Sequence, residues 1–328
     1  MQLMVRRQSD GSPKLGLEGL EPQRGNKSST LGHMTAVLVE EGPDKGAIWH
    51  FGEIAKEQRA LFEGKAWADL SHLKIVAVSG SDRLKWLHDL TTQHLLALAP
   101  GDWTSAFILD PNGRVEYQFN LVDDGDTTYL VIDPGYESGL IEYLQKMKFM
   151  LQVDVRDASD EFAVLRAPGK ATNIGGPFAL VPRGELEEMK KTFATTALQV
   201  GTWALDAERV GAGRARIGFE TDHKTIPNEI GVLNTAVHMN KGCYRGQETV
   251  AKVFNLGNPP RRLAMLHLDG SAVVMPAPGT PVEKDGVVVG FLGTVARHHE
   301  LGPIALAILK RNTPTDAELS VGGVSASQ

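Results

Sequence analysis

The feature that most limits how this chain can fold is a change of texture at Pro259 and Pro260. Before that point apolar residues recur with the periods of both helices and strands. After it, Leu263 to Leu268, Val282 to Glu283, Val287 to Leu292 and Ile304 to Leu309 read as short strands between turns at Gly270, Pro276, Pro278, Gly279, Gly286 and Gly302. A single layered core does not change its grammar in this way. With 328 residues, the chain is long enough for two or three separate cores. The reading is an α+β core over residues 34–258 and a small β-barrel-like domain over 259–325.

The core opens with Lys74 to Val78 as a strand, then Gly80, Ser81 and Asp82 as a cap for a helix carrying Leu84, Trp86, Leu87 and Leu90. Trp103 to Leu109 and Val115 to Val122 form the arms of a hairpin around Asp110, Pro111, Asn112 and Gly113. Thr127 to Ile132 follows as a strand. A helix with Leu140, Ile141, Leu144 and Met147 comes next, then a strand at Leu151 to Val155. Phe162 to Leu165 reads as a strand, and Glu185 to Ala197 and Trp203 to Val210 as helices. Met1 to His33 is poor in core formers and has no apolar run behind Arg6 and Arg7, so it is expected to be a disordered tail, with Met34 as an alternative start.

Composition removes whole classes of function. No apolar run approaches the roughly 18 to 20 residues of a membrane span, and the mean hydropathy of -0.17 shows no bias to lipid. A net charge of -6 argues against stable nucleic-acid binding. One cysteine, Cys243, forbids an internal disulfide and a self-contained thiolate cluster, and points to a reducing, cytoplasmic setting.

That cysteine lies in Lys241 to Glu248, K-G-C-Y-R-G-Q-E. A lone cysteine is by default a small buried hydrophobe. Here Asn240, Arg245, Gln247 and Glu248 crowd polar groups around it, and Gln247 onward reads as the first turns of a helix, so a functional thiol is the better reading. Backbone N–H groups at that helix start, with Lys241 and Arg245, would favour the thiolate. Gln247 and Glu248 are expected to fix the loop by hydrogen bonds, and Tyr244 to stack on a ring or to pack.

The motif resembles the signature of YgfZ-type folate-binding proteins, a branch of the superfamily of the glycine-cleavage aminomethyltransferase, or T-protein. The resemblance extends to Asp69, Ser71 and His72, to Gly80 and Asp82, to the Asp110, Gly113, Arg114 hairpin, to Ile226, Pro227, Asn228 and Glu229, and to Arg261 and Arg262. It covers residues 45 to 310. It implies two intertwined α/β subdomains around a folate pocket plus the C-terminal barrel, with tetrahydrofolate or a one-carbon derivative as cofactor. It also implies iron-sulfur client enzymes as partners. Tyr117, Gln118, Tyr244, Gln247, Glu248 and Arg261 are then the candidate folate-binding residues, and Cys243, Lys241 and Arg245 the reactive group and its neighbours, with no metal site. T-proteins carry paired aspartates where this chain has Tyr117 and Gln118, and a pterin-gripping glutamate where it has Gly211. Folate-dependent aminomethyl transfer is therefore the alternative, and a non-catalytic folate-stabilised binding module a further one.

Other constellations carry less. His238 lies five residues before Cys243, as a Cys-His hydrolase would need, yet a structural histidine is the ordinary reading. His298 and His299 form a pair without a nearby Asp or Cys, Gly211, Gly213 and Gly218 follow no clear strand, and Asp154 to Glu161 is an acidic loop.

Overall fold

The computed structural model describes residues 29–31, 34–272 and 274–328. The tail expected over 1–33 lies mostly outside them, although β1 (Ser29–Leu31) pairs antiparallel with β2 (Met34–Leu38), which is followed by β3 (Ile48–His50). Next come α1 (Ile54–Phe62), β4 (Ala66–Asp69), β5 (Lys74–Ser79) and α2 (Arg83–Leu90). The expected hairpin is β6 (Trp103–Leu109) with β7 (Val115–Asp123), continued by β8 (Thr127–Ile132), α3 (Glu137–Met147) and β9 (Asp154–Asp157).

Strands β6-β7-β8-β5-β9, in that order, make a five-stranded antiparallel sheet. Its strands alternate faces. One face packs Val76, Ile108, Leu121 and Leu130 against Trp86 and Leu87 of α2 and Leu140 and Leu144 of α3. These side chains are almost wholly buried, and each contributes about 1.5 to 3 kcal/mol. Asp82 precedes α2 but makes no capping bond; its carboxylate instead accepts from the backbone N–H of Gln152 at 2.7 Å, tying α2 to the start of β9.

A second, four-stranded sheet has the order β11-β10-β4-β12, with β10 (Phe162–Arg166), β11 (Phe178–Pro182) and β12 (Leu198–Gln199), the last parallel to β4. β4 comes from before the first sheet and the other three strands from after it, so the two subdomains are intertwined as expected. Helix α4 (Leu186–Ala194) covers this sheet, and α5 (Thr202–Gly211) buries Ala207 and Val210 against Ala296, Ile304 and Leu306 of the last domain. Helix α6 (Gln247–Leu256) follows.

The C-terminal domain is a closed six-stranded barrel, β13 (Arg261–Leu268), β14 (Pro281–Lys284), β15 (Val287–His298), β16 (Gly302–Lys310), β17 (Leu319–Val321) and β18 (Val324–Ser327), in the order β13-β16-β15-β14-β17-β18. Strand β15 runs six residues past the expected Leu292, through a bulge between Leu292 and Val295, and this extension carries His298 onto α5.

Candidate functional site

Between the two sheets and α5 lies a cavity of about 550 Å³. It sits on the face of the five-stranded sheet opposite α2 and α3. The hydrogen-bonded register brings Phe107 opposite Gln118 and Ser105 opposite Asn120, and all four line the cavity. From α5 come Leu205, Asp206, Glu208 and Arg209, and from the following loop Arg214 and Arg216. Asn173, Ile174 and Gly175, from the loop after β10, close one side.

Charges in this cavity are paired through arginines. Arg216 donates to both oxygens of Asp44 (2.6 and 2.7 Å) and, through Nε and Nη2, to Asp133 (2.7 to 3.1 Å). Burial alone would raise Asp44, but the bonds from Arg216 and from His72 Nε2 (3.0 Å) hold its carboxyl well below the usual range. Buried Arg166 turns its donors to three backbone carbonyls, Ala167, Gly169 and Gly175, and so shapes the loop that closes the cavity. Arg209 joins Asp206 to Glu220, and Arg214 reaches Glu208 at 3.3 Å. Burial pushes Asp206 and Glu208 above the usual carboxylate range, against the opposing pull of Arg209 and Arg216 on the first and of Arg166 and Arg214 on the second.

Of the residues singled out in sequence, Gln118 is a cavity residue, and Tyr117, Tyr244, Gln247, Glu248 and Arg261 are not. The separation of Tyr117 from Gln118 follows from the strand period. Gln118 Nε2 donates to Ala215 O at 3.1 Å, whereas Tyr117 packs on the opposite face against the α2/α3 core. Glu116 is the extra residue of a bulge opposite Ile108 and Leu109 and pairs with Arg245 at 3.3 Å.

The 241–248 segment forms the outer side of the cavity wall. Tyr244 is buried in a cluster with Phe107, Ala236 and Ile230, three residues whose other sides line the cavity. Lys241 is buried, and its ammonium donates to the carbonyls of His88 in the last turn of α2 and of Thr91 (2.5 Å) and Gln93 (3.3 Å) just beyond it. Burial pulls its pKa down to about 8. Lys241 and Arg245 thus spend their charge on carbonyls and on Glu116. Gln247 and Glu248 make no side-chain hydrogen bond among the described residues; what fixes the loop is Lys241 and two glycines. A Cβ on Gly246 would stand 2.6 Å from Asp110 O and 2.7 Å from Gly113 Cα, and one on Gly113 2.8 Å from Thr249 Cβ. The hairpin tip and the start of α6 are docked backbone to backbone. Cys243 is exposed on this loop. Arg261 is a staple of the barrel: it grips Asp222 (2.7 and 3.0 Å) and Glu229 (2.8 and 2.9 Å). His238 stands next to His94, ring centroids 5.3 Å apart.

Residues 31–174 match the family described as GCVT N-terminal domain. A putative chloroplastic transferase of Arabidopsis thaliana is 24% identical over 76% of this chain. The mitochondrial iron-sulfur cluster assembly factor IBA57 homolog of Mycosarcoma maydis is 23% identical over 66% of it. The chain spans 66% and 61% of the length of these two relatives. Among solved structures, the glycine cleavage system aminomethyltransferase T from Bartonella henselae superposes with a TM-score of 0.73 at 16% identity, covering 89% of this chain and 92% of that one. These findings support the T-protein superfamily. Within that fold, the cavity is lined by the two intertwined subdomains, α5 and the loops that follow it, and none of its lining residues comes from the barrel.

Sequence reasoning passed over Asp44, Asp133, Arg166, Asp206, Glu208, Arg209, Arg214 and Arg216. One signal was present: Asp206, Glu208, Arg209, Arg214 and Arg216 fall within eleven residues, with Asp206 and Arg209 at the i,i+3 spacing that lets side chains meet. Position 211, where T-proteins place a glutamate, faces the barrel in this chain. A Cβ there would lie 3.3 Å from the His298 ring.

Proposed function

We propose that the cavity binds tetrahydrofolate and that the protein supports assembly or repair of iron-sulfur clusters in client enzymes through the loop carrying Cys243. The carrying observation is the cavity itself. Its volume of about 550 Å³ falls in the range of sites for molecules of this size. Phe107 and Phe178 offer apolar walls for a ring. Gln118 Oε1 is buried without a hydrogen-bond partner, an acceptor that an N–H of a bound heterocycle would satisfy. Arg214 commits only Nη2 to Glu208, which leaves donors for the carboxylates of a glutamyl tail. When bound, tetrahydrofolate supplies a carrier for one-carbon units; the chain's own groups bind and orient it.

The cluster part rests on different ground. The sole thiol is exposed on a loop braced by Lys241 and Gly246, outside the cavity, where another protein can reach it and a cavity ligand is walled off by Phe107 and Tyr244. One thiolate is too few to hold a cluster, so the cluster is cargo touched in passing. The likeness to a cluster assembly factor supports this choice. Tyr117 and Gln118 in place of aspartates weigh against aminomethyl transfer. A lone thiol suits a reducing compartment such as the cytosol. Among the described residues no helix is long and apolar enough to cross a membrane.

Calorimetric titration with tetrahydrofolate, paired with rescue of a cluster-dependent enzyme in cells lacking the protein, tests both parts. Wild type binds folate and rescues, and Cys243→Ala binds folate and does not rescue. If folate fails to bind, the first part falls; if the alanine variant rescues fully, the second falls.

A further inference from the structure

Four carboxylates line the cavity, Asp44, Asp133, Asp206 and Glu208, and they are not equally free. Asp44 accepts on both oxygens from Arg216 and on Oδ1 also from His72. Asp133 accepts on both oxygens from Arg216. Glu208 stands between Arg214 at 3.3 Å and Arg166 at 3.8 Å. Asp206 is held by Arg209 alone, through Oδ1 at 3.2 and 3.3 Å. Among the described residues its Oδ2 has no hydrogen bond, and its side chain keeps 32% of its exposure although it lies deep in the molecule. That combination describes an oxygen open to the cavity.

The two places where T-proteins present acids to the ligand are closed to that role here. The hairpin offers the neutral amide of Gln118, and position 211 is turned under His298. The cavity-facing side of α5 carries Asp206 instead, on the same helix and one and a half turns earlier.

We infer that Asp206 is the carboxylate that recognises the ligand, its free oxygen accepting from the paired N–H donors of a 2-amino-4-oxopyrimidine edge while Arg209 holds the other oxygen in place. This inference rests on the folate reading and names the group that gives that site its specificity for a pterin. Burial of Asp206, which already disfavours its charge, adds to the gain when N–H donors arrive, because the ligand supplies the solvation that the cavity withholds.

The test is anaerobic calorimetry on the full chain with tetrahydrofolate, for wild type, Asp206→Asn and Asp206→Ser, from pH 5 to pH 8. Loss of one charge-assisted bond is expected to weaken binding roughly 10- to 100-fold in both variants. Wild-type affinity is expected to fall as pH drops through the Asp206 titration, and the variants to lose that slope, which a merely structural residue would not produce. If wild type does not bind, the folate reading and this inference fall together. If wild type binds and both variants bind within threefold, the folate reading stands and the inference is wrong. Should neither variant fold, a folate analogue lacking the 2-amino group decides on the wild type, and binding within threefold of the parent compound overturns the assignment.

Discussion

Gly246→Ala isolates what the glycines of the 241–248 motif do. Helix α6 has a left-handed glycine at each end, Gly246 at φ 80° before it and Gly257 at φ 86° after it. An alanine at either site has the same backbone strain, about 1 to 2 kcal/mol. Only at Gly246 does the new methyl also meet backbone, Asp110 O at 2.6 Å and Gly113 Cα at 2.7 Å, while nothing lies within 4 Å at Gly257. Backbone cannot rotate away as a side chain can, so the hairpin must lift off α6, adding about 1 to 3 kcal/mol of overpacking. The expected costs are therefore about 1 to 2 kcal/mol for Gly257→Ala and about 2 to 5 kcal/mol for Gly246→Ala, measured by urea unfolding of the two variants side by side. The Gly246 variant should also change the rate at which Cys243 reacts with a thiol reagent, and the Gly257 variant should not. Equal unfolding costs would refute the reading of Gly246 and Gly113 as a docked pair.

Lys241→Met removes three donors from buried carbonyls while relieving the burial of a charge, and the balance is expected to destabilise by about 2 kcal/mol in urea unfolding; a neutral result would show that the ammonium is not what holds the motif to α2. Acid acts with two signs. Asp222, bonded to Arg261 and held down to about 2 against an unfolded value of 3.8, contributes stability that is complete above pH 4 and lost as pH falls towards 2, about 1 kcal/mol after allowance for its partial exposure. Asp206 and Glu208 are raised instead, so the penalty of their burial is relieved as pH falls through their folded values towards the unfolded ones. Thermal unfolding from pH 7 to pH 2.5 should thus show a mildly acidic optimum followed by a drop, and Asp222→Asn should lose about 1 kcal/mol of that drop.

Local periodicity made most elements legible. β5, α2, the β6/β7 hairpin and α5 each carry a pattern that one stretch of sequence completes by itself. β11 and β12 were not foreseen. Phe178–Pro182 ends in a proline within Gly-rich sequence and Leu198–Gln199 is two residues long, so both are strands only because β10 and β4 wait beside them. The cavity was hidden for the same reason. Arg216 meets Asp44 across 172 residues and Asp133 across 83, and no window of sequence shows such a pairing. The motif at 241–248 stood out by its chemistry, but what its residues do depends on what faces them: Lys241 meets carbonyls and Gly246 meets a hairpin.

The cavity and the thiol are joined by a short stretch of buried polar chain. Thr91 and Thr92 are fully buried. Thr92 Oγ1 donates to Ala236 O at 2.7 Å and accepts from Phe107 N at 2.9 Å, two residues of the cavity wall. On the other side, Thr92 O accepts from His238 N at 2.9 Å and Thr91 O accepts from Lys241 Nζ at 2.5 Å. A buried hydrogen bond with no water to replace it resists displacement, so the wall and the loop move together or not at all. A ligand pressed against Phe107 therefore bears on the pair that anchors Lys241, and Tyr244 closes the circuit from the apolar side. Under this arrangement a molecule held in the cavity sets the order of the loop two residues from Lys241, where the only cysteine stands.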